Sequence, residues 1–126
     1  MSGRRHKVMV LDDSDICREM TQLTLEAAGY DTVALEGPAA LQVALGRERP
    51  DLVLLDVTMP ALDEAGLARL VRACAQERCP VMLFSDRADE DLRTLARTCG
   101  AAGFLRKTAE VTVLTTAVER LLGAAS

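Results

Sequence analysis

The chain has 126 residues, a formal net charge of −4, 49% hydrophobic residues and 27% charged residues. That balance belongs to one globular domain able to bury a core without staples, and it rules out a disordered tail. Tyr30, Phe84 and Phe104 are the only aromatics, so the chain lacks the stacking platforms of single-strand nucleic-acid binders, and its acidity offers no field for phosphate backbones or anionic lipid.

Lys7–Leu11 reads as a first strand, a continuous apolar run stopped by Asp12 and Asp13. Residues 15–28 carry Ile16, Met20, Leu23 and Ala27 at helical spacing, with Ser14 as N-cap and Gly29 just past the end. Residues 30–35 form a second strand. Pro38 opens a second helix that runs to about residue 47 and is broken by Pro50. Residues 51–56 make the strongest strand, apolar through its middle as a parallel strand covered on both faces requires, and Met59 and Pro60 end it. A third helix over 64–75 places Leu67, Leu70, Val71 and Cys74 on one face. Residues 80–84 make a fourth strand, and a helix over 88–99 turns Leu92, Leu95 and Ala96 inward. Residues 103–105 are a short fifth strand, and a last helix over 108–122 uses Val111, Leu114, Val118, Leu121 and Leu122. Five strands alternating with five helices predict an α/β fold, a doubly wound five-stranded parallel sheet flanked by five helices. No linker or repeat interrupts it, so residues 1–126 are expected to form a single domain.

Cys17, Cys74, Cys79 and Cys99 are scattered, none in a C-x-x-C pair, and His6 is the only histidine. This argues against a zinc site and fits free thiols in a reducing cytosol. No apolar run is long enough to span a membrane, and the basic start lacks a signal-peptide core, so a cytoplasmic location is expected.

Ligands of open parallel sheets bind outside the carboxyl ends of the strands. Asp12 and Asp13 follow the first strand and Asp56 ends the third. Ser85, Asp86 and Arg87 follow the fourth, and Arg106 and Lys107 follow the fifth. A polar residue at one strand end is ordinary; the set is not, because it brings three carboxylates, a hydroxyl and an ammonium to one edge. Packed carboxylates repel and raise one another's pKa unless a cation sits among them. An all-oxygen donor set suits a hard ion, Mg2+ above all. A carboxylate is also a nucleophile able to form an acyl phosphate. Phosphoryl transfer asks for positioning and charge neutralisation, which Mg2+, Lys107 and Ser85 can supply.

Asp12-Asp13, Pro50-Asp51 leading to Asp56, Met59-Pro60, Ser85, and Phe104 three residues before Lys107 stand in an order that resembles the receiver domain of two-component response regulators, over the whole chain. The resemblance implies a flavodoxin-like, CheY-like fold and a phosphoacceptor that signals by a conformational switch. Asp56 matches the phosphoacceptor, fed by a histidine kinase or phosphotransfer protein. Asp12 and Asp13 match the acidic pair that binds Mg2+ with Asp56, and the backbone carbonyl of Thr58 matches the remaining protein ligand. Lys107 matches the lysine that contacts the phosphoacceptor, Ser85 the switch hydroxyl, and Phe104 the aromatic that moves with it; Phe104 also reads simply as an apolar residue of an edge strand. The face of the fourth helix, fifth strand and fifth helix matches the family's surface for downstream protein targets. Such a module is no enzyme beyond its own phosphorylation and dephosphorylation. A chain of this length leaves no room for an output domain, so it is expected to signal by protein contact or to pass phosphate on, without itself binding nucleic acid or membrane.

Three positions depart from the family pattern. Asp86 stands where a small residue is usual, and it either repels an incoming dianion or begins the next helix, where acid is favourable. Thr108 stands where a cis proline is usual, which predicts a trans bond after Lys107 and a cap for the last helix. Gly66 falls later than the usual Asp-Gly pair. Two other functions compete. A degenerate receiver acting as a phosphorylation-independent binding module would explain Asp86 but not the retained site positions. An Mg2+-dependent phosphohydrolase would usually carry a second Asp two residues after the nucleophile, where Thr58 stands.

Overall fold

The computed structural model of the chain describes residues 5–60, 62–107 and 110–125. In chain order the elements are β1 (Lys7–Leu11), α1 (Asp15–Ala27), β2 (Asp31–Leu35), a 3-10 turn (Pro38–Ala40) running into α2 (Leu41–Glu48), β3 (Leu52–Leu55), α3 (Glu64–Gln76), β4 (Val81–Ser85), α4 (Asp89–Cys99), β5 (Gly103–Arg106) and α5 (Val111–Ala125). The strands form one sheet in the order β2-β1-β3-β4-β5, and every neighbouring pair is parallel. This is the doubly wound sheet the alternation predicts.

Alternation along each strand sends side chains to two separate cores. Val8, Val10, Leu52, Leu54, Met82 and Phe84 pack with Leu25 of α1 and with Leu114, Val118 and Leu122 of α5. Met9, Leu11, Val53, Leu55 and Leu83 pack with residues of α2, α3 and α4, among them Leu41, Leu67 and Leu92. The continuous apolar runs of β1 and β3 follow from this double burial. Order and register also place the strand ends. Leu11 pairs with Leu55, so Asp12 and Asp56 leave the sheet side by side. Ser85 pairs with Arg106, which sets Lys107 beside the end of β4.

Two helix faces differ from expectation. Ile16, Met20 and Leu23 of α1 are exposed (72%, 62% and 60%), as is Ala27, while Thr21 and Leu25 are buried. The rotation of α1 is set by its anchors. Arg18 donates to the Asp12 carbonyl at 2.7 Å and pairs with Asp15 and Glu36, and Leu25 fills the sheet face. In α5, Val111 is 57% exposed and Leu114, Val118 and Leu122 carry the packing. That helix starts at Val111, later than the sequence suggests; Thr108, its capping role and its bond to Lys107 lie outside the described residues. Ser14 caps α1 as expected, its hydroxyl accepting from the Cys17 amide at 3.3 Å. Gly29 (φ 98°) follows α1 in the left-handed conformation that glycine adopts at little cost.

All four cysteines are free thiols. Burial pushes Cys74 up to about 11 and, with Cys74 and Asp51 adding, Cys79 up to about 12, so both are protonated and inert near neutral pH. Among the described residues, no helix is long and apolar enough to cross a membrane.

Candidate functional site

The carboxyl edge of the sheet gathers Asp12, Asp13, Thr58, Asp56 and Lys107. Asp12 and Asp56 are almost fully buried, at 2% and 4% exposure. The Asp56 amide donates to the Leu11 carbonyl at 3.0 Å, locking the end of β3 against β1. The Lys107 amide donates to the Ser85 carbonyl at 2.7 Å, which aims its side chain back across the edge. Its ammonium lies 2.8 Å from Asp12 Oδ2 and 3.1 Å from Asp56 Oδ2, and 5.7 Å from the centre of the Phe84 ring. One cation therefore bridges two buried carboxylates over a weak cation–π contact.

The two oxygens of Asp56 have different surroundings. Oδ1 accepts from the Thr58 amide at 2.9 Å and from the Thr58 hydroxyl at 2.7 Å. Oδ2 faces Lys107. Burial pushes the Asp56 carboxyl up, but the two Thr58 hydrogen bonds and the Lys107 ammonium outweigh it and hold the carboxyl below its ordinary value. Burial likewise pulls Lys107 down, and Asp12 and Asp56 outweigh it and hold the ammonium above its ordinary value. The expectation that crowding raises the pKa of these carboxylates is thus reversed at Asp56, because Lys107 already supplies a cation and Thr58 two donors.

Carboxylate oxygens of Asp12, Asp13 and Asp56 lie within 4.8 Å of one another. Asp12 Oδ1 accepts from the Ser14 amide at 2.9 Å. The exposed Asp13 carboxylate and the Thr58 carbonyl accept no hydrogen bond among the described residues. The exposed Asp13 carboxylate beside two buried ones makes an all-oxygen donor set that fits a hard divalent cation such as Mg2+ and offers nothing to a soft one.

Ser85 ends β4, its carbonyl held by the Lys107 amide, and Phe104 lies within β5. Ser85 is fully buried, and its hydroxyl takes only a long 3.4 Å bond from the Arg87 amide. Phe104 is half-buried on the α4 side of the sheet, paired with Leu83, and the Arg93 guanidinium of α4 lies 5.5 Å from its ring centre. Asp86 is exposed and makes no hydrogen bond or ion pair among the described residues. It stands outside α4, which starts at Asp89 with Ala88 as its N-cap, so it does not begin that helix. Arg87 does not pair with it either; its guanidinium reaches the Val57 carbonyl at 3.4 Å, bridging the loop after β4 to the loop after β3. That bridge, the Thr58 hydroxyl contact and the Arg18 anchor are structural features at the site's edge that the sequence does not single out. Only the Asp15/Arg18 spacing on one helix face signals any of them.

The doubly wound parallel sheet thus carries an acidic trio and a lysine at its carboxyl edge. The response regulator receiver domain family model matches residues 8–119. The transcriptional regulatory protein CseB of Streptomyces coelicolor is 34% identical over 123 residues, covering 97% of this chain and 51% of that protein. YxdJ of Bacillus subtilis, also a transcriptional regulatory protein, is 36% identical over 103 residues, 81% of this chain and 44% of that one. Among solved structures, the chemotaxis protein CheY4 of Vibrio cholerae superposes with a TM-score of 0.83 at 22% identity, covering 94% of this chain and 99% of that one. The chain belongs to the response regulator receiver domain family. It spans about half the length of the curated relatives it matches.

Proposed function

We propose that Asp56 accepts a phosphoryl group from a phosphohistidine of a histidine kinase or phosphotransfer protein, with Mg2+ held by Asp12, Asp13, Asp56 and the Thr58 carbonyl. The observation that carries this reading is the division of labour at Asp56. Oδ1 is engaged twice by Thr58, whereas Oδ2 meets only Lys107, whose shorter contact is to Asp12. Oδ2 is the attacking oxygen. It forms the O–P bond as the donor's N–P bond breaks, and the imidazole leaves with the electron pair and takes a proton from solvent. Bound Mg2+ supplies charge neutralisation at the transferring group. Lys107, already held as an ammonium, meets the phosphoryl oxygens, and the weakly engaged Ser85 hydroxyl is free to donate to one of them. The protein catalyses only this phosphorylation and the hydrolysis of the acyl phosphate, in which water takes the phosphoryl group as inorganic phosphate and the Asp56 carboxylate is restored. Incubation with acetyl phosphate and Mg2+ tests the reading: a base-labile gain of one phosphoryl group is expected, and no gain sinks it.

The partner surfaces follow from the same geometry. Ile16, Met20 and Leu23 form an exposed apolar stripe on the helix that leaves Asp13, and a small groove beside it is lined by Met20, Phe84, Leu105 and Val111. An apolar stripe at the rim of the acidic site suits docking of a phosphodonor protein. The Arg93–Phe104 stack joins α4 to β5, so a shift at Ser85 and Phe104 is felt on the α4–β5–α5 face, the surface for a downstream protein. The curated relatives include the DNA-binding response regulator MtrA of Mycobacterium tuberculosis, 28% identical and matched over 46% of its length. A net charge of −4 supports a reading in which this receiver portion does not itself contact nucleic acid. Dependence on an ATP-fed kinase supports a cytoplasmic location. A phosphorylation-independent binding module is not favoured, since the groups phosphotransfer needs are assembled at one edge.

Two further results are expected. Mg2+ at tenfold excess over its Kd contributes about 1.4 kcal/mol to folding, a rise in Tm of about 5 °C for a domain of this size. An unchanged Tm in calorimetry with Mg2+ would speak against the metal site. Asp86→Ala will speed phosphorylation by a small dianionic donor. A unit charge and a dianion about 7 Å apart in water interact by about 1.2 kcal/mol, so the gain is about sevenfold, and added salt shrinks it. Equal rates for parent and variant at low salt would show that the Asp86 carboxylate points away from the donor's path.

A further inference from the structure

We propose that the groove between α2 and α3 binds a small amphiphilic organic anion, an apolar body carrying a carboxylate, sulfonate or phosphate. None of the residues assigned to phosphotransfer lines this groove, and the inference does not depend on that reading.

The groove encloses about 580 Å³, within the roughly 300–1,000 Å³ of small-ligand pockets. Its origin lies in side-chain size. Gly66 and Ala73 stand two turns apart on one face of α3, and Ala39 stands across from them in the turn before α2. Where larger side chains would close the space between the helices, these leave it open. The floor is apolar: Leu41 and Leu45 are buried members of the core, and Leu62 and Leu70 are half-buried beside it.

The rim is cationic. Arg69 and Arg72, both exposed, line the groove together with Gln42 and Gln76, and no acidic residue lines it at all. This stands out in a chain with 19 acidic and 15 basic residues. Arg18 is engaged by Asp15 and Glu36 and Arg5 by Asp31, whereas Arg47, Arg49 and Arg78, like the two arginines of this groove, carry no such pair among the described residues. Arg69 and Arg72 make no hydrogen bond or ion pair among the described residues. Asp63, the carboxylate beside Gly66, is taken up by the Gly66 amide at 2.7 Å, so an apolar slot with guanidinium groups and amides at its mouth is complementary to an apolar body with one anionic head, the head taken by Arg69 or Arg72 and the body laid over Leu41 and Leu45.

The test is a fluorescence titration of the folded full chain with 1-anilinonaphthalene-8-sulfonate, run beside its uncharged relative N-phenyl-1-naphthylamine. Saturable one-to-one binding of the sulfonate is expected. Arg69→Gln with Arg72→Gln will weaken it by about tenfold, the worth of one charged hydrogen bond, and leave the neutral dye unchanged. Ala73→Leu, which fills the slot and keeps both arginines, will weaken both dyes without lowering Tm. Equal sulfonate affinity in the parent and the double glutamine variant overturns the proposal. So does arginine-dependent dimerisation in sedimentation velocity, which would make the occupant a second copy. Arginine-dependent binding to phosphatidylglycerol vesicles, with no saturable dye binding, would point to a membrane surface and likewise overturn it.

Discussion

Asp56→Asn will carry no phosphoryl group under conditions of Mg2+ and acetyl phosphate that label the parent. The substitution keeps the shape of a side chain that is 4% exposed and lies against Thr58 and Lys107, and Lys107 keeps its shorter contact to Asp12, so no buried charge is left without a partner and the variant folds. It removes the charge and one of the two acceptor oxygens, and an amide is no nucleophile toward phosphorus near neutral pH. The loss is expected to be complete rather than graded. Asp12 Oδ1 is held by the Ser14 amide and Oδ2 by Lys107, so neither replaces the missing oxygen. Asp13 is exposed and within 4.8 Å of the other two carboxylates, which makes it the position to inspect for residual label. Intact-mass measurement before and after mild base checks the result. Undiminished base-labile labelling of the variant would move the acceptor away from Asp56.

Lys107→Met will destabilise the protein far more in the absence of Mg2+ than in its presence. Lys107 is the cation between two carboxylates whose side chains are only 3% and 4% exposed. Removing one partner of a buried ion pair costs about 3–5 kcal/mol, because the remaining charge is left in a poor solvent. That is a large part of the roughly 5–15 kcal/mol that separates folded from unfolded domains, and for this chain length it lowers Tm by about 12–20 °C. A divalent cation among Asp12, Asp13 and Asp56 supplies the missing charge, so the Mg2+-dependent rise in Tm will be larger in the variant than in the parent. Phosphorylation will remain slow even with Mg2+ restored, since no ammonium meets the phosphoryl oxygens. A metal-free variant that melts with the parent would show that the Lys107 contacts contribute nothing net.

These expectations rest unequally on sequence and on fold. The sequence by itself determined the strands and their order of appearance. A parallel strand covered on both faces must be apolar at consecutive positions, and Val8–Leu11 and Leu52–Leu55 are. It determined which residues stand at the carboxyl ends, because each apolar run stops at the polar residues of that edge: Asp12, Asp56, Ser85, and Arg106 followed by Lys107. Ser14 and Gly29 were legible as helix punctuation for the same local reason, the chemistry of one cap and one left-handed residue. The rotation of α1 was not. The stripe of Ile16, Met20 and Leu23 and the stripe of Thr21 and Leu25 both have helical spacing, and only docking on the sheet, with Arg18 pinned to the Asp12 carbonyl, selects the second. The first is thereby left facing solvent beside the acidic site. Nor was the pairing inside the site legible. Lys107 meets Asp12 across 95 residues and Asp56 across 51, contacts that exist only because β5 lies beside β4 and β4 beside β3 in the same sheet. The opposed effects of burial and hydrogen bonding on Asp56, the separate duties of its two oxygens, and the reach of Arg87 to the Val57 carbonyl depend on distances of a few ångströms between separate loops. Distances of that kind belong to the packed sheet edge, and no local pattern encodes them.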